Sequence, residues 1–482
     1  MRHLSLFLLL ASLCVAEPPA DPTPLDRYVH EPDPAFQHSL ALKAELDGVT
    51  VFVLDLASQR WLTEAEVNRT EWKHWVTIYK PAKVEGSTAL LMIAGGSNGP
   101  KPPARPDAFL ADVARRTASV TVELRMVPNQ PLSFHGEPRR RTEDAIIAYT
   151  WKKFMETGDE RWPARLPMTK AAVRAMDAVT EFMKSPEGGG VRVERYVAAG
   201  GSKRGWTSWT AAATDPRVVA VIPAVIDLLN LEPSFQHHWR AYGFWAPAVQ
   251  DYVEHGVMDM QGTRQFRDLM KIVEPFEYRH RLTMPKFIVN SAGDQFFLPD
   301  SWQFYFGDLK GEKYLRYVPN SDHSLRHTTA MDDIAVYYEA IVRDWPRPKF
   351  DWRVAEDGTI EVRCTDQPAE VKLWWADNPD ARDFRLEKIG AAYQSEVLDS
   401  LGEGRYAANP GAPAAGYRAY FVELAFPSPG GSKWMFTTGV KVAPDTYPFP
   451  PFVPNAPPGA LEPSGASRAG AVSLATKGDR AQ

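Results

Sequence analysis

E-R-Y-V-A-A-G-G-S-K-R-G-W, residues Glu194–Trp206, is the stretch on which the reading of this chain turns. Tyr196–Ala199 is a short apolar run of the length of a buried central strand, and W-T-S-W-T-A-A-A-T from Trp206 onward reads as helix. Between them stand Gly200, Gly201, Ser202, Lys203, Arg204 and Gly205. A strand that stops at Gly-Gly-Ser and becomes a helix at once puts the serine hydroxyl on a tight bend. Gly200 and Gly205 leave room where a side chain would collide with the neighbouring strand or helix. That is the layout of a nucleophile elbow, with the free N–H groups of a helix N-terminus beside the hydroxyl for a developing oxyanion. The spacing here is G-x-S-x-x-G, with Arg204 where G-x-S-x-G has its second glycine. A plain turn in which Ser202 caps a helix is the alternative for this stretch taken alone.

Outward from the elbow, strands and helices alternate. Gly48–Leu56, Trp72–Lys80, Ser87–Ala94 and Ala118–Met126 read as strands, and Asp107–Thr117, Thr142–Glu156 and Met168–Lys184 as helices. Beyond it, Arg217–Val225, Pro285–Asn290 and Lys313–Pro319 are further strands, followed by a helix at Ala330–Arg343. The expectation is an α/β fold with a mostly parallel sheet, helices on both faces, and active residues at the carboxyl ends of the strands. Pro18–Pro34 reads as an extended arm and Ser39–Asp47 as weakly helical. Residues 227–277 break the alternation with an aromatic-rich insertion, including Phe235, Trp239, Trp245 and Tyr252, in the place of a lid. Many of these aromatics serve equally as the core of a helical subdomain. Residues 350–444 consist of short alternating strands, which suggests a small immunoglobulin-like β-sandwich, and 445–482, rich in Pro, Ala, Gly and Ser, reads as a disordered tail. The main domain is therefore expected over 17–349.

A serine needs a base to take its proton and an acid to orient that base. In this architecture the chain order is serine, acid, histidine. Asp294 follows F-I-V-N-S-A-G at a strand end, and His323 lies in P-N-S-D-H-S-L after Y-L-R-Y-V-P. Ser202, Asp294 and His323 are thus the expected triad. Each has an ordinary alternative, a helix cap for Asp294 and a surface loop for His323, and Asp300 and His327 are their nearest rivals. The backbone N–H of Lys203 and the Gly96–Ser97 backbone, in the glycine-rich loop Gly95–Gly99, are the expected oxyanion donors. Arg204, Trp239 and Phe296 are candidate substrate contacts.

The chain has 482 residues, 44% hydrophobic and 24% charged, with a net charge of −5. That is the composition of a globular protein and offers no electrostatic footprint for nucleic acid. Met1–Ala16 reads as a signal peptide with cleavage before Glu17, which predicts a secreted or periplasmic protein with no stable membrane span. Its removal leaves Cys364 as the one cysteine, so no internal disulfide is expected. His237-His238 lacks metal-ligand spacing and no dinucleotide fingerprint is present, so neither a metal nor a cofactor is expected.

Taken together, G-G-S-K-R-G-W-T-S-W, I-A-G-G-S-N-G, N-S-A-G-D-Q-F-F and N-S-D-H-S-L resemble the PhoPQ-activated pathogenicity-related proteins, over roughly Leu25–Ala443. The G-x-S-x-x-G pattern is shared with glucuronoyl esterases. The resemblance implies an α/β-hydrolase fold and a triad carried by Ser202, Asp294 and His323, without naming a substrate. The expected activity is serine hydrolysis of an ester or amide, on a small molecule or peptide, with carboxylesterase ahead of peptidase. The same resemblance implies that a retained triad can accompany extracellular signalling, so a secreted, non-catalytic binding or signalling protein is the second reading.

Overall fold

The computed structural model describes residues 21–99, 101–103 and 105–456. The expected signal peptide lies outside them, as do residues 457–482 of the expected tail. Eleven strands build the first part of the fold: β1 (Gln37–Leu46), β2 (Val49–Arg60), β3 (Glu71–Pro81), β4 (Thr88–Ile93), β5 (Thr121–Leu124), the small hairpin β6 (Leu132–Ser133) and β7 (Arg140–Arg141), β8 (Arg195–Gly201), β9 (Val218–Ala224), β10 (Lys286–Ser291) and β11 (Lys313–Val318). The order β5-β4-β8-β9-β10-β11 is parallel throughout, and β3, β2 and β1 continue it antiparallel at one side. Central strands such as β10 are buried along their whole length, because parallel strands have both faces covered.

One face is covered by α3 (Glu143–Thr157), α4 (Arg165–Lys184) and α5 (Lys203–Thr214), the other by α2 (Ala108–Thr117) and α9 (Ala330–Val342). This is the α/β-hydrolase arrangement. The insertion between β9 and β10 contains α6 (Leu231–Tyr242), α7 (Gln250–Glu254) and α8 (Arg264–Val273).

Four expectations are corrected. Ser39–Asp47 is not helical; Ser39–Leu46 belongs to β1, which turns into β2 through Asp47 and Gly48, both at positive φ. Asp-Gly is the hairpin signal that outweighed a helical composition. The arm before Pro34 contains a helix, α1 (Pro24–His30), because Thr23 and Asp26 form a reciprocal capping box and Asp26 pairs with Arg281 at 2.9 Å. The C-terminal strands do form two layers. β12 (Phe350–Val354), β13 (Ile360–Cys364) and β16 (Arg405–Ala408) make one. β14 (Glu370–Asn378), β15 (Gln394–Val397), β17 (Tyr417–Pro427), β18 (Lys433–Thr437) and β19 (Lys441–Ala443) make the other. This second layer is no detached sandwich, because β18 pairs with β11 at Leu315 and Thr437 and extends the main sheet to 14 strands among the described residues. β11 would otherwise expose an unpaired edge. Residues 445–456, expected as the start of a disordered tail, pack on α6: Phe452 lies 4.8 Å from the Trp239 ring, and its N–H donates to Gln236.

Candidate active site

Ser202 joins β8 to α5 at φ 56°, ψ −126°, a conformation costly for a non-glycine residue and one that turns the chain from strand to helix in a single residue. Its own N–H donates to Ala224 O at 2.8 Å, which fixes the bend to β9. The glycines act as the motif requires. A methyl group on Gly200 would stand 2.7 Å from the Arg204 carbonyl, and one on Gly205 would stand 2.8 Å from Gly200 O and 2.9 Å from Ile226 Cγ2. Arg204 is tolerated between them because it is Gly200 that yields the space. Lys203 opens α5, so its N–H points out of the helix start beside Ser202, and among the described residues no backbone acceptor engages it.

The other two triad candidates meet at the ends of the next strands along. Asp294 follows β10 and is 3% exposed; its Oδ1 accepts the Phe296 N–H at 2.7 Å. His323 Nδ1 lies 2.8 Å from Asp294 Oδ2 and 3.0 Å from Oδ1, so Nδ1–H donates to the carboxylate and Nε2 is left to act as base. The two loops are locked together. Ser291 donates to Ser321 O at 2.8 Å, Gln295 Oε1 accepts the His323 N–H, and a methyl on Gly293 would stand 2.6 Å from Ser321 O. Ser202 and His323 are not hydrogen-bonded to each other; Phe296 packs against the imidazole, tilted by 40° with 4.3 Å between ring centres, and lines the cavity that Ser202 also lines.

Of the rivals, Asp300 is engaged elsewhere. Asp300 is buried between His237, at 2.8 Å, and Arg382, at 2.6 Å. Burial alone would push its carboxyl up, but the Arg382 charge and the hydrogen bonds from Arg382 and His237 outweigh that and hold it far below the usual range. Tyr447 bonds the other nitrogen of His237 at 2.7 Å, so the whole cluster ties the C-terminal segment to α6. Among the described residues no group of side chains could hold a metal ion, and no helix is long and apolar enough to cross a membrane.

Two candidate substrate contacts are corrected. Arg204 is not free to meet a substrate, because its Nε donates to Val127 O and its Nη2 pairs with Glu143 at 2.7 Å, with the guanidinium packed over Gly95. Trp239 is turned to Trp245 and Phe452, away from the cavity. Phe296 does line the cavity. Gly96 and Ser97 do not, although Arg204 brings their loop to the elbow.

The cavity together with its open mouth encloses about 450 Å³, and its walls include Ile226, Leu228, Phe235, Tyr252 and Phe297. Its polar floor was not read from the sequence. Lys203 Nζ pairs with Glu143 at 2.9 Å and Asp144 at 3.0 Å, and both acids come from the start of α3. Burial pushes the Glu143 carboxyl up, but Arg204 and Lys203 reverse this and bring it to about 2. Glu143 also sits at φ 51°, held there by a hydrogen bond from its N–H to Gln130. The only local signal was a pair of acids at a helix start, which is ordinary capping chemistry.

The description of the PhoPQ-activated pathogenicity-related proteins matches residues 25–385. Autocrine proliferation repressor protein A of Dictyostelium discoideum is 38% identical over 473 residues, covering 92% of this chain and 94% of that protein. The chain belongs to the PhoPQ-activated pathogenicity-related family. The matched range takes in the elbow, both triad loops and the lid, and ends at Arg385, before the last strands of the sheet. Among solved structures, acetyl xylan esterase 1 from a Thermoanaerobacterium species is 16% identical, with a TM-score of 0.46 over 66% of this chain and 92% of that one. The acylaminoacyl peptidase of Pyrococcus horikoshii is 14% identical, with a TM-score of 0.38 over 64% of this chain and 49% of that one.

Proposed function

We propose that this family member is an exported serine hydrolase that cleaves an ester or amide through an acyl-enzyme. The observation that supports this reading best is the 2.8 Å contact between His323 Nδ1 and Asp294, at the strand end next but one to a strained Ser202 elbow. In the first half-reaction Ser202 Oγ attacks the substrate carbonyl carbon while His323 Nε2 takes the hydroxyl proton. The Lys203 N–H, at the positive end of α5, donates to the oxyanion, with the Gly96–Ser97 backbone as the second expected donor. The carbonyl re-forms as the C–O or C–N bond to the leaving group breaks, and His323 returns the proton to the leaving atom. Water then repeats the sequence on the acyl-enzyme and frees Ser202. Asp294 orients the imidazole throughout. The attack requires the Ser202 hydroxyl to reach His323 Nε2, a contact that commonly tightens only when substrate is bound.

The test is labelling by a fluorophosphonate probe, together with turnover of p-nitrophenyl esters and aminoacyl anilides, by the wild type and Ser202→Ala. We expect the substitution to abolish both; labelling that survives it would reject the assignment. A second reading, a secreted signalling protein on a hydrolase fold, is favoured by the 38% identity to a protein named as an autocrine proliferation repressor. No labelling and no turnover by the wild type would select it.

A further inference from the structure

The floor of the cavity does not balance in charge. Glu143 and Asp144 face Lys203 and Arg204 in close ion pairs, and this quartet is neutral. A fifth charged group, Arg165 at the start of α4, lines the same cavity as Ser202 and is 3% exposed. Its Nη1 donates to Lys203 O at 2.9 Å, and its guanidinium lies over the Trp206 ring at 4.3 Å. Its Nε is buried with no hydrogen-bond partner, and among the described residues no carboxylate oxygen lies within 4.0 Å of it. Burial draws the guanidinium down to about 10, against support from the nearby Tyr252 and Asp144, so it is cationic at neutral pH. A buried cation with an idle donor, beside a cavity whose other charges are already paired, is costly unless a counter-charge arrives.

We propose that Arg165 receives a carboxylate of the substrate, so that the ester or amide cleaved at Ser202 carries a free acid group reaching to the cavity floor. The proposal rests on the serine-hydrolase reading for its substrate, but the anion site exists independently of turnover. The guanidinium is held by Trp206 and by the carbonyl of the residue after the nucleophile, so a bound carboxylate is fixed in relation to Ser202. Arg165 is then the residue that selects charged over neutral substrates. A purely structural Arg165, holding only the Lys203 carbonyl, would confer no such selection.

The test uses the full chain with Ser202→Ala and titrates glutarate against its neutral isostere glutaramide by calorimetry. Hydrogen bonds to charged groups lead us to expect glutarate to bind at least about tenfold tighter. Arg165→Met should erase that ratio, and Arg165→Lys should retain part of it. Equal affinities in the Ser202→Ala protein, or a ratio that survives Arg165→Met, would overturn the proposal. Should both Arg165 variants fail to fold, a crystal soaked with glutarate decides: a carboxylate on Arg165 Nε supports it, and a carboxylate anywhere else overturns it. Fluorophosphonate labelling of the wild type reads the nucleophile separately. Glutarate binding through Arg165 without labelling would sink the hydrolase reading and leave the anion site standing.

Discussion

Asp294 does two jobs with one carboxylate, accepting the backbone N–H of Phe296 and the ring N–H of His323. An asparagine can keep the first through its amide oxygen and cannot stabilise the imidazolium that forms when Ser202 attacks. We therefore expect Asp294→Asn to fold with an almost unchanged melting temperature and to lose about 10⁴-fold in kcat, the scale of a triad whose acid is neutralised. Circular dichroism and ester turnover check this; loss of less than about tenfold in kcat would remove Asp294 from the mechanism. The placement of Ser202, Asp294 and His323 just past apolar strands was legible, because strand ends can be read from local composition. Arg165, Glu143 and Asp144 were not legible, since their meaning comes from helix starts that meet the elbow only in the folded chain. Arg204 was misread for the same reason: its partner Glu143 lies far away along the chain.

Helix α5 is seated against β8 and β9 by the absence of one side chain. A methyl on Gly205 would press on Gly200 O, Ile226 Cγ2 and Ala224 O at once, two of them backbone atoms that cannot swing aside. Gly205→Ala should cost about 2–3 kcal/mol and displace Ser202 from its partners. Gly201→Ala meets only Val225 Cγ2, at 3.9 Å, and should lie within about 0.5 kcal/mol of the wild type. Urea unfolding of the pair decides whether the G-x-S-x-x-G spacing is a steric requirement; equal destabilisation would deny it. The lid depends on an element that composition concealed. Phe452 fills the angle between Trp239 and Trp245, and Tyr447 completes the His237–Asp300 pair. Ending the chain at Pro444 should expose these aromatics, lower the melting temperature and open α6–α8 to limited proteolysis. An unchanged digestion pattern would show that the segment merely rests on the lid. Proline-rich composition read as disorder over 445–456, because its docking depends on a receptor built from α6 that local composition does not show.

At the scale of the whole molecule, Asp227 and Glu274 stand out as buried acids that have no ion-pair partner among the described residues. Asp227, just past β9, takes hydrogen bonds from Tyr305 at 2.6 Å and from Tyr317 on β11 at 2.5 Å. Glu274, after α8, accepts the Leu231 N–H at the start of α6 at 2.8 Å. Burial raises both carboxyls to about 8, and the hydrogen bonds they accept offset it only in part. In the unfolded chain the same groups titrate near 3.8 and 4.5. Between those values and about 8 the folded state holds protons that the unfolded state has released, so each acid lowers stability progressively as pH rises through that window and no further above it. The two sites join the sheet to the insertion between β9 and β10, and so the loss is shared by the whole α/β unit. Asp227→Asn with Glu274→Gln keeps the shapes and removes the titration. The melting temperature of the wild type should therefore fall relative to the double variant, by several degrees, between pH 5 and pH 8, and the gap should stay constant from pH 8.5 upward. Parallel melting profiles across that range would mean that these acids are ionised in the folded protein, and that the site is less dry than its geometry requires.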